Sequence, residues 1–275
     1  MPIKSTEAGK RGSAEVLLNA FNLPPEAAIK YLKDKGYAFS WDWQDLWQAA
    51  QARAFTVAKA MRQDILTDIR DMVQRALNDG ITFQQFKKEL APRLKAKGWW
   101  GKMLASDVPG FDPESGADPD KLVQLGSPWR LKTIYRTNLQ VAYMAGRERG
   151  MEEVAKARPY WQYIAVLDSR TRPAHRAMHG KIFRWNDPFW DKFYPPNDWG
   201  CRCRVKSLSE REMERDGLEP EYSTGKIKSR EVLANENTGE MTTISTYRDP
   251  ATGNAITTGP GWDYNPGRAS WSKAS

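Results

Sequence analysis

Apolar positions recur every three or four residues through residues 41–77. Leu46, Ala50, Ala54, Val57, Met61, Ile65, Ile69, Met72 and Ala76 fall on one helical face. That spacing predicts one long helix, with Asp42 as its N-cap and Asn78-Asp79-Gly80 as its stop. At about 1.5 Å per residue such a helix exceeds roughly 50 Å, so it needs a packing partner or a place in a larger assembly. The first dozen residues read as a disordered start. Helical spacing then begins within residues 14–35, where Pro24-Pro25 opens residues 26–35 and Gly36 stops them. Thr82 with Gln85 forms a capping-box pattern for the next helix, which ends near Lys97-Gly98.

The pattern breaks over residues 99–126, where three Pro and four Gly stand among Asp107, Asp112, Asp118 and Asp120. This stretch reads as a loop or hinge. Ser127-Pro128 starts another helix, which carries Leu131, Ile134, Tyr135, Leu139, Ala142, Tyr143 and Gly146 and ends at or a little beyond Arg149-Gly150. After Pro159 the period shortens to two. Residues 160–167, 181–185 and 202–208 read as short strands, and Ser209 with Glu212 caps a small helix. Beyond Gly217 the chain is polar and turn-rich, with residues 242–247 as a hairpin strand and 253–267 extended or irregular.

These elements predict an α+β protein. A mainly helical N-terminal region with a long helix (1–98) leads through the hinge (99–126) to a small loop-rich α+β domain (127–216). An irregular, polar C-terminal extension (217–275) follows. No internal repeat is present.

Composition narrows the class. The chain has 275 residues and a formal charge of +8, with 42 Lys and Arg against 34 Asp and Glu. No apolar run approaches the ~18–20 residues of a membrane span, and the polar, basic start holds no apolar stretch of a secretory leader. No membrane partner is expected. Charge and scarce residues share one place. Residues 158–206 hold ten Lys and Arg and four Asp, a surplus of six. They also hold every His and Cys of the chain: His175, His179, Cys201 and Cys203.

Three readings of this window stand side by side. Two imidazoles and two thiols are the donor set that Zn2+ takes in closed structural sites, and a helical turn would stack His175 on His179. The spacing matches no common zinc finger, so the same residues also read as small core side chains and loop braces. A phosphodiesterase reading would use Asp168, Arg170, His175 and His179, but no HExxH, nucleophile elbow or Walker A sequence accompanies them. Arg170, Arg172, Arg176, Arg202 and Arg204 are candidates for phosphate contact without base readout. The plain alternative for these arginines is a solvated face or braces for the loops.

The run from Asp168-Ser-Arg-Thr-Arg-Pro through His175, His179-Gly180-Lys181, Asp187-Pro-Phe-Trp190 and Pro195-Pro-Asn to Cys201-Arg-Cys203 closely resembles the core of the phage Mu F-like minor head proteins. These belong to the broad phage head morphogenesis family. Tyr135-Arg-Thr-Asn138 with Tyr143, Gly146 and Arg147 is similar to the family's preceding helix. Gly261-Trp-Asp-Tyr-Asn-Pro-Gly267 is similar to its C-terminal signature.

The resemblance implies a non-enzymatic minor capsid protein acting in head assembly. Its expected partners are the portal protein and inner capsid surface, together with phage DNA. Its expected location is the virion head, reached from the host cytoplasm during assembly. The alternatives are a nucleic-acid-binding protein without sequence preference and a metal-dependent nuclease. The resemblance also implies ligand-like residues at positions where this chain has Arg172 and Asp198. The expected cofactor is therefore one structural Zn2+ on His175, Cys201 and Cys203, with His179 or Asp198 as the fourth ligand.

Overall fold

In the computed structural model, which describes residues 26–42, 48–115, 117–235 and 239–271, the predicted long helix is divided. Helix α1 (Glu26–Asp34) leads into the short strand β1 (Gly36–Tyr37). Helix α2 (Gln48–Arg53) runs into strand β2 (Ala54–Phe55), and a second helix, α3 (Gln63–Asp79), starts only after a turn. The spacing of Ala54, Val57 and Met61 suits a helix. The aromatic and β-branched run Phe55-Thr56-Val57 suits extended chain equally well, and a partner decides. β1 pairs with β2 in parallel, Gly36 against Ala54 and Tyr37 against Phe55. The Ser40 and Thr56 hydroxyls bond at 2.7 Å, and Lys59 turns the chain at φ 61°. Asp42 binds the Lys59 ammonium at 2.5 Å; the residues it was expected to cap, 43–47 with Leu46, lie outside the described residues. So does the expected disordered start.

α3 ends at Gly80, whose φ of 63° is the left-handed cap expected there. Helix α4 (Phe83–Ala96) opens with the predicted capping box, Thr82 and Gln85 bonding reciprocally. The stretch 99–126, expected as a loop or hinge, contains an antiparallel pair, β3 (Lys102–Leu104) with β4 (Leu122–Gln124). Trp99 is fully buried, and its indole N–H bonds the Lys59 carbonyl at 2.7 Å.

Helix α5 (Pro128–Glu153) is the spine of the molecule. Between Leu131 and Gly146 it packs with α1, α3 and α4 in a core that includes Ile65, Ile69, Val73, Leu90, Leu131 and Val141. Gly146 is where α1 crosses closest; a Cβ there would stand 2.7 Å from the Ala28 nitrogen. From the second half, Met144 and Met151 enter another core, rich in aromatics.

That second core is built on a three-stranded antiparallel sheet. Strand β5 (Tyr160–Ile164) lies between β6 (Ile182–Arg184) and β7 (Arg204–Leu208). Short helices α6 (Pro173–Met178) and α7 (Phe189–Phe193) occupy its connections, and α8 (Glu210–Arg215) follows β7 with the predicted Ser209–Glu212 box. Trp161, Phe183, Phe189, Trp190, Phe193 and Tyr247 pack ring on ring, with Phe183 stacked on Phe189 at 4.1 Å.

The C-terminal part adds a sheet of β8 (Ile227–Asn235), β9 (Glu240–Arg248) and β10 (Ala255–Thr257), so the expected hairpin strand lies inside β9. The chain from 258 to 265 has irregular backbone, yet residues 261–267 are all buried. Helix α9 (Pro266–Trp271) then seats on α5 and α2. Arg268 ties it down, reaching Glu148 at 3.3 Å, Asp191 at 2.6 Å and the Trp185 carbonyl at 2.5 Å. Among the described residues no helix is long and apolar enough to cross a membrane.

Candidate metal centre and the groove beside it

The segment Cys201-Arg-Cys-Arg-Val205 is extended, so alternate side chains face opposite ways. Cys201, Cys203 and Val205 turn into the aromatic core, while Arg202 and Arg204 turn to solvent. Across from them, Pro173 starts the six-residue helix α6, whose inward positions three apart are His175 and Met178. His175, Cys201 and Cys203 are all buried, and their ligand atoms lie within 4.8 Å of one another. The Cys203 sulfur stands 3.5 Å from His175 Nδ1. Sulfur and nitrogen bound tetrahedrally to zinc at about 2.3 and 2.0 Å are about 3.5 Å apart, so this pair has the right span. Two sulfurs and one imidazole nitrogen suit a borderline-soft divalent ion, and among the described residues this is the one such cluster.

The remaining expected ligands stand elsewhere. α6 ends at Met178, so His179 is not one helical turn above His175; its backbone is already extended, at φ −59° and ψ 130°. Its ring is exposed and Nδ1 accepts the Ala165 amide at 3.1 Å. Asp198 pairs with Arg172 Nε at 3.2 Å and accepts the amide of Trp199 at 2.7 Å. Neither belongs to the cluster.

Instead, the strand alternation of β5 brings in Tyr163, a residue that sequence reasoning did not single out. Its buried hydroxyl donates to Asn197 Oδ1 at 2.8 Å and lies against both cysteines. Cys203 is lowered to about 7, first by the hydrogen bond from the Cys201 thiol and then by Tyr163 and the amides of Val166 and Arg202, against its burial. Cys201 moves the other way, well above the usual thiol range, through Cys203 and burial. The pair therefore shares one proton more readily than it holds two, which favours a cation beside it.

Four of the five candidate phosphate-binding arginines brace the loops around this cluster. Arg202 grips Asp168 with both guanidinium nitrogens, at 2.7 and 2.6 Å, and holds its carboxyl well below the ordinary range. Arg170 contacts the same carboxylate at 3.3 Å, and Arg176 donates to the Asp168 carbonyl at 2.8 Å. Arg172 adds the Trp199 carbonyl at 2.9 Å to its ion pair with Asp198. Arg204 is exposed on β7. The phosphodiesterase arrangement has no geometric support: Asp168 is bound by Arg202, His179 by an amide, and His175 is buried with the thiols.

Beside the cluster opens a cleft of about 500 Å3 that reaches Cys201 and is lined by Arg136, Arg170, Arg172 and Arg202. It shares Arg136, Thr137, Trp199, Gly200 and Trp262 with a larger groove of about 820 Å3 running along α5.

Comparison with known proteins accounts for most of the chain. The profile of the family described as Phage Mu protein F like protein matches residues 67–206, which takes in α4, α5, most of the sheet and the His–Cys cluster. The chain is 45% identical over 259 residues to the "Putative capsid assembly protein F" of Escherichia phage Mu, covering 93% of this chain and 57% of that protein. It is 43% identical over 236 residues to the "Mu-like prophage FluMu F protein" of Haemophilus influenzae, covering 84% and 54%. The chain thus spans a little over half the length of these relatives. No solved structure matches it. On a profile spanning half the chain and two relatives aligned along most of it, the chain belongs to the phage Mu F-like family.

Proposed function

We propose that this chain serves phage head assembly, as a minor head protein seated beside the portal and the inner capsid surface. The observation that carries this reading is the alignment of 93% of the chain, both cores included, with a protein named for capsid assembly. In this reading the chain is made in the host cytoplasm and ends in the virion head. Its role is structural, built on packed cores and braced loops. Mass spectrometry of purified proheads and mature particles tests it. The protein is expected in at least one of the two, and absence from both overturns the reading.

Within that role, His175, Cys201 and Cys203 hold one structural Zn2+, with Tyr163 or water completing the shell. The ion would clip α6 to the entry of β7, where sheet is scarce and loops are long. Elemental analysis is expected to find close to one equivalent. Less than about a tenth, with stability indifferent to chelator, overturns the zinc assignment.

A second reading, contact with packaged DNA, is favoured by one face of the β6-β5-β7 sheet. There Arg184, Arg204 and Lys206 are all exposed. Binding to duplex DNA should fall steeply across a salt series, and a flat response overturns it.

A further inference from the structure

Among the described residues, the groove along α5 brings an exposed aromatic and two free cations, none of them used by the His–Cys cluster or the cores, to the rim of the helical core. Trp129, at the start of α5, is 72% exposed. Lys132 and Arg136 follow it on the same side of the helix, and neither makes a hydrogen bond or ion pair among the described residues. The walls behind them are apolar, with Ile134, Val141 and Trp262 among them. Among the described lining residues of groove and cleft, Lys59, Arg170, Arg172 and Arg202 are ion-paired with Asp42, Asp168, Asp198 and Asp168, whereas Lys132 and Arg136 are not. Trp and Arg are the residue types that dominate binding energy at protein interfaces, and here an exposed Trp129 stands beside two cations, Lys132 and Arg136, that no carboxylate answers among the described residues.

We infer that this groove docks a segment of another head protein that presents a large apolar side chain beside a run of carboxylates. The apolar residue would lie against Trp129 and the Ile134–Val141 wall, and the carboxylates would meet Lys132 and Arg136. Charge complementarity selects an acidic occupant. Residues 1–25 of this chain do not qualify, with Lys4, Lys10 and Arg11 against Glu7 and Glu15. Nucleic acid fits less well than protein. Stacking on a single strand needs successive open ring faces, and among the described aromatics here Phe55, Trp262 and Tyr264 are buried and Trp199 is half-buried against Trp262, leaving Trp129 as the widely exposed ring. A phosphate track also needs free cations along its whole length, whereas Arg172 and Arg202 are already bound to Asp198 and Asp168.

This inference names the partner's chemistry for the head-assembly reading and rests on it. The test is a full chain carrying a photoreactive benzophenone side chain in place of Lys132, allowed to assemble into heads and irradiated. The expected adduct is with a segment of a different head protein that contains several Asp or Glu around a large apolar residue. An adduct with DNA, with a second copy of this chain, with residues 1–25, or with a segment lacking carboxylates overturns the inference, and so does no adduct in heads that contain the protein.

If the chain never enters heads, the head-assembly reading fails by itself and the groove is judged on purified protein. A fluorescein-labelled amphipathic peptide of Leu and Glu should then bind at least about tenfold tighter than its Leu and Lys counterpart. Lys132→Glu with Arg136→Glu, or Trp129→Ala, should remove about tenfold or more of that affinity. These three residues are exposed, so folding is undisturbed. Equal binding of the two peptides overturns the inference.

Discussion

The two cores that share α5 are held together differently. The first is mainly helical: α1, α3, α4 and α5 bury Ile, Leu and Val stripes against one another, with Tyr31, Phe55, Phe86, Trp99 and Trp262 among them. The second surrounds a sheet of strands three to five residues long and is filled by aromatic rings. Its connections are held by Arg202 on Asp168, Arg172 on Asp198 and Arg268 on Glu148, and by the His–Cys cluster. A helical stripe distributes stability over many equivalent contacts. A loop-rich core concentrates it in a few large residues and anchors, and there single changes act most strongly.

Truncating an aromatic at the centre of the second core should have the largest effect. Phe183 is fully buried and touches the rings of Phe189, Trp190 and Tyr247. Phe183→Ala should cost about 3–5 kcal/mol and more than Phe86→Ala, the loss of an equally buried ring in the helical core. Urea unfolding of the two variants measures the difference, and equal losses would break the distinction drawn between the cores.

The next effect in size belongs to the clamp at the chain's end. Glu148 is fully buried on α5, and one of its carboxylate oxygens has no partner among the described residues. Burial, helped by Glu152 and opposed by Arg268, raises its pKa to about 7. The folded protein therefore holds this proton when the unfolded chain has released it. Stability should be highest below the ordinary Glu value and fall as pH rises from about 4.5 to about 7. The loss is about 3 kcal/mol across that window. Glu148→Gln should flatten this part of the pH profile, as urea midpoints at pH 5 and 8 will show. A close neighbour gives a smaller, steric test. A Cβ on Gly267 would lie 2.5 Å from Glu148 Oε2, so Gly267→Ala should cost about 1–3 kcal/mol and loosen α9, seen as faster hydrogen exchange there.

The same contrast decides what was legible in the sequence. Helix caps were, because a cap is a local bargain between residues three apart: Thr82 with Gln85, Ser127 with Pro128, and Ser209 with Glu212 all cap as read. The inward turn of Cys201 and Cys203 follows from the alternation Cys-Arg-Cys-Arg-Val. The break at residues 54–62 was not legible, since Ala54, Val57 and Met61 keep helical spacing and only the distant β1 makes extended chain better there. His179 was misplaced for a related reason: whether α6 runs one residue further depends on the turn that delivers β6, not on the His-to-His spacing. Tyr163, Glu148 and the burial of residues 261–267 were out of reach because each depends on elements far away in the chain. Asp263 and Asn265 look like solvent residues until Ser245 and the Trp190 carbonyl supply their hydrogen bonds.

The smallest expected effect compares the cores through one motif they both use. A complete capping box stands beside each, Thr82–Gln85 at α4 and, just after β7, Ser209–Glu212 at α8. Losing the hydroxyl should cost about 1 kcal/mol at either site if capping were all it did. At Thr82 it is: among the described residues the Gln85 side chain bonds only back to the cap. At Ser209 the same change also frees Glu212, whose carboxylate accepts both the Ser209 amide and its hydroxyl at 2.8 Å and pairs with Arg158 at 2.7 Å. Arg158 in turn donates to the Ser207 carbonyl at the end of β7. Ser209→Ala should therefore cost more than Thr82→Ala, and Arg158→Ala should remove the excess in a double-mutant cycle. Equal costs, or a cycle that closes to zero, would mean that the loop-rich core does not relay one anchor into the next. Its fragility would then rest on the aromatic rings alone.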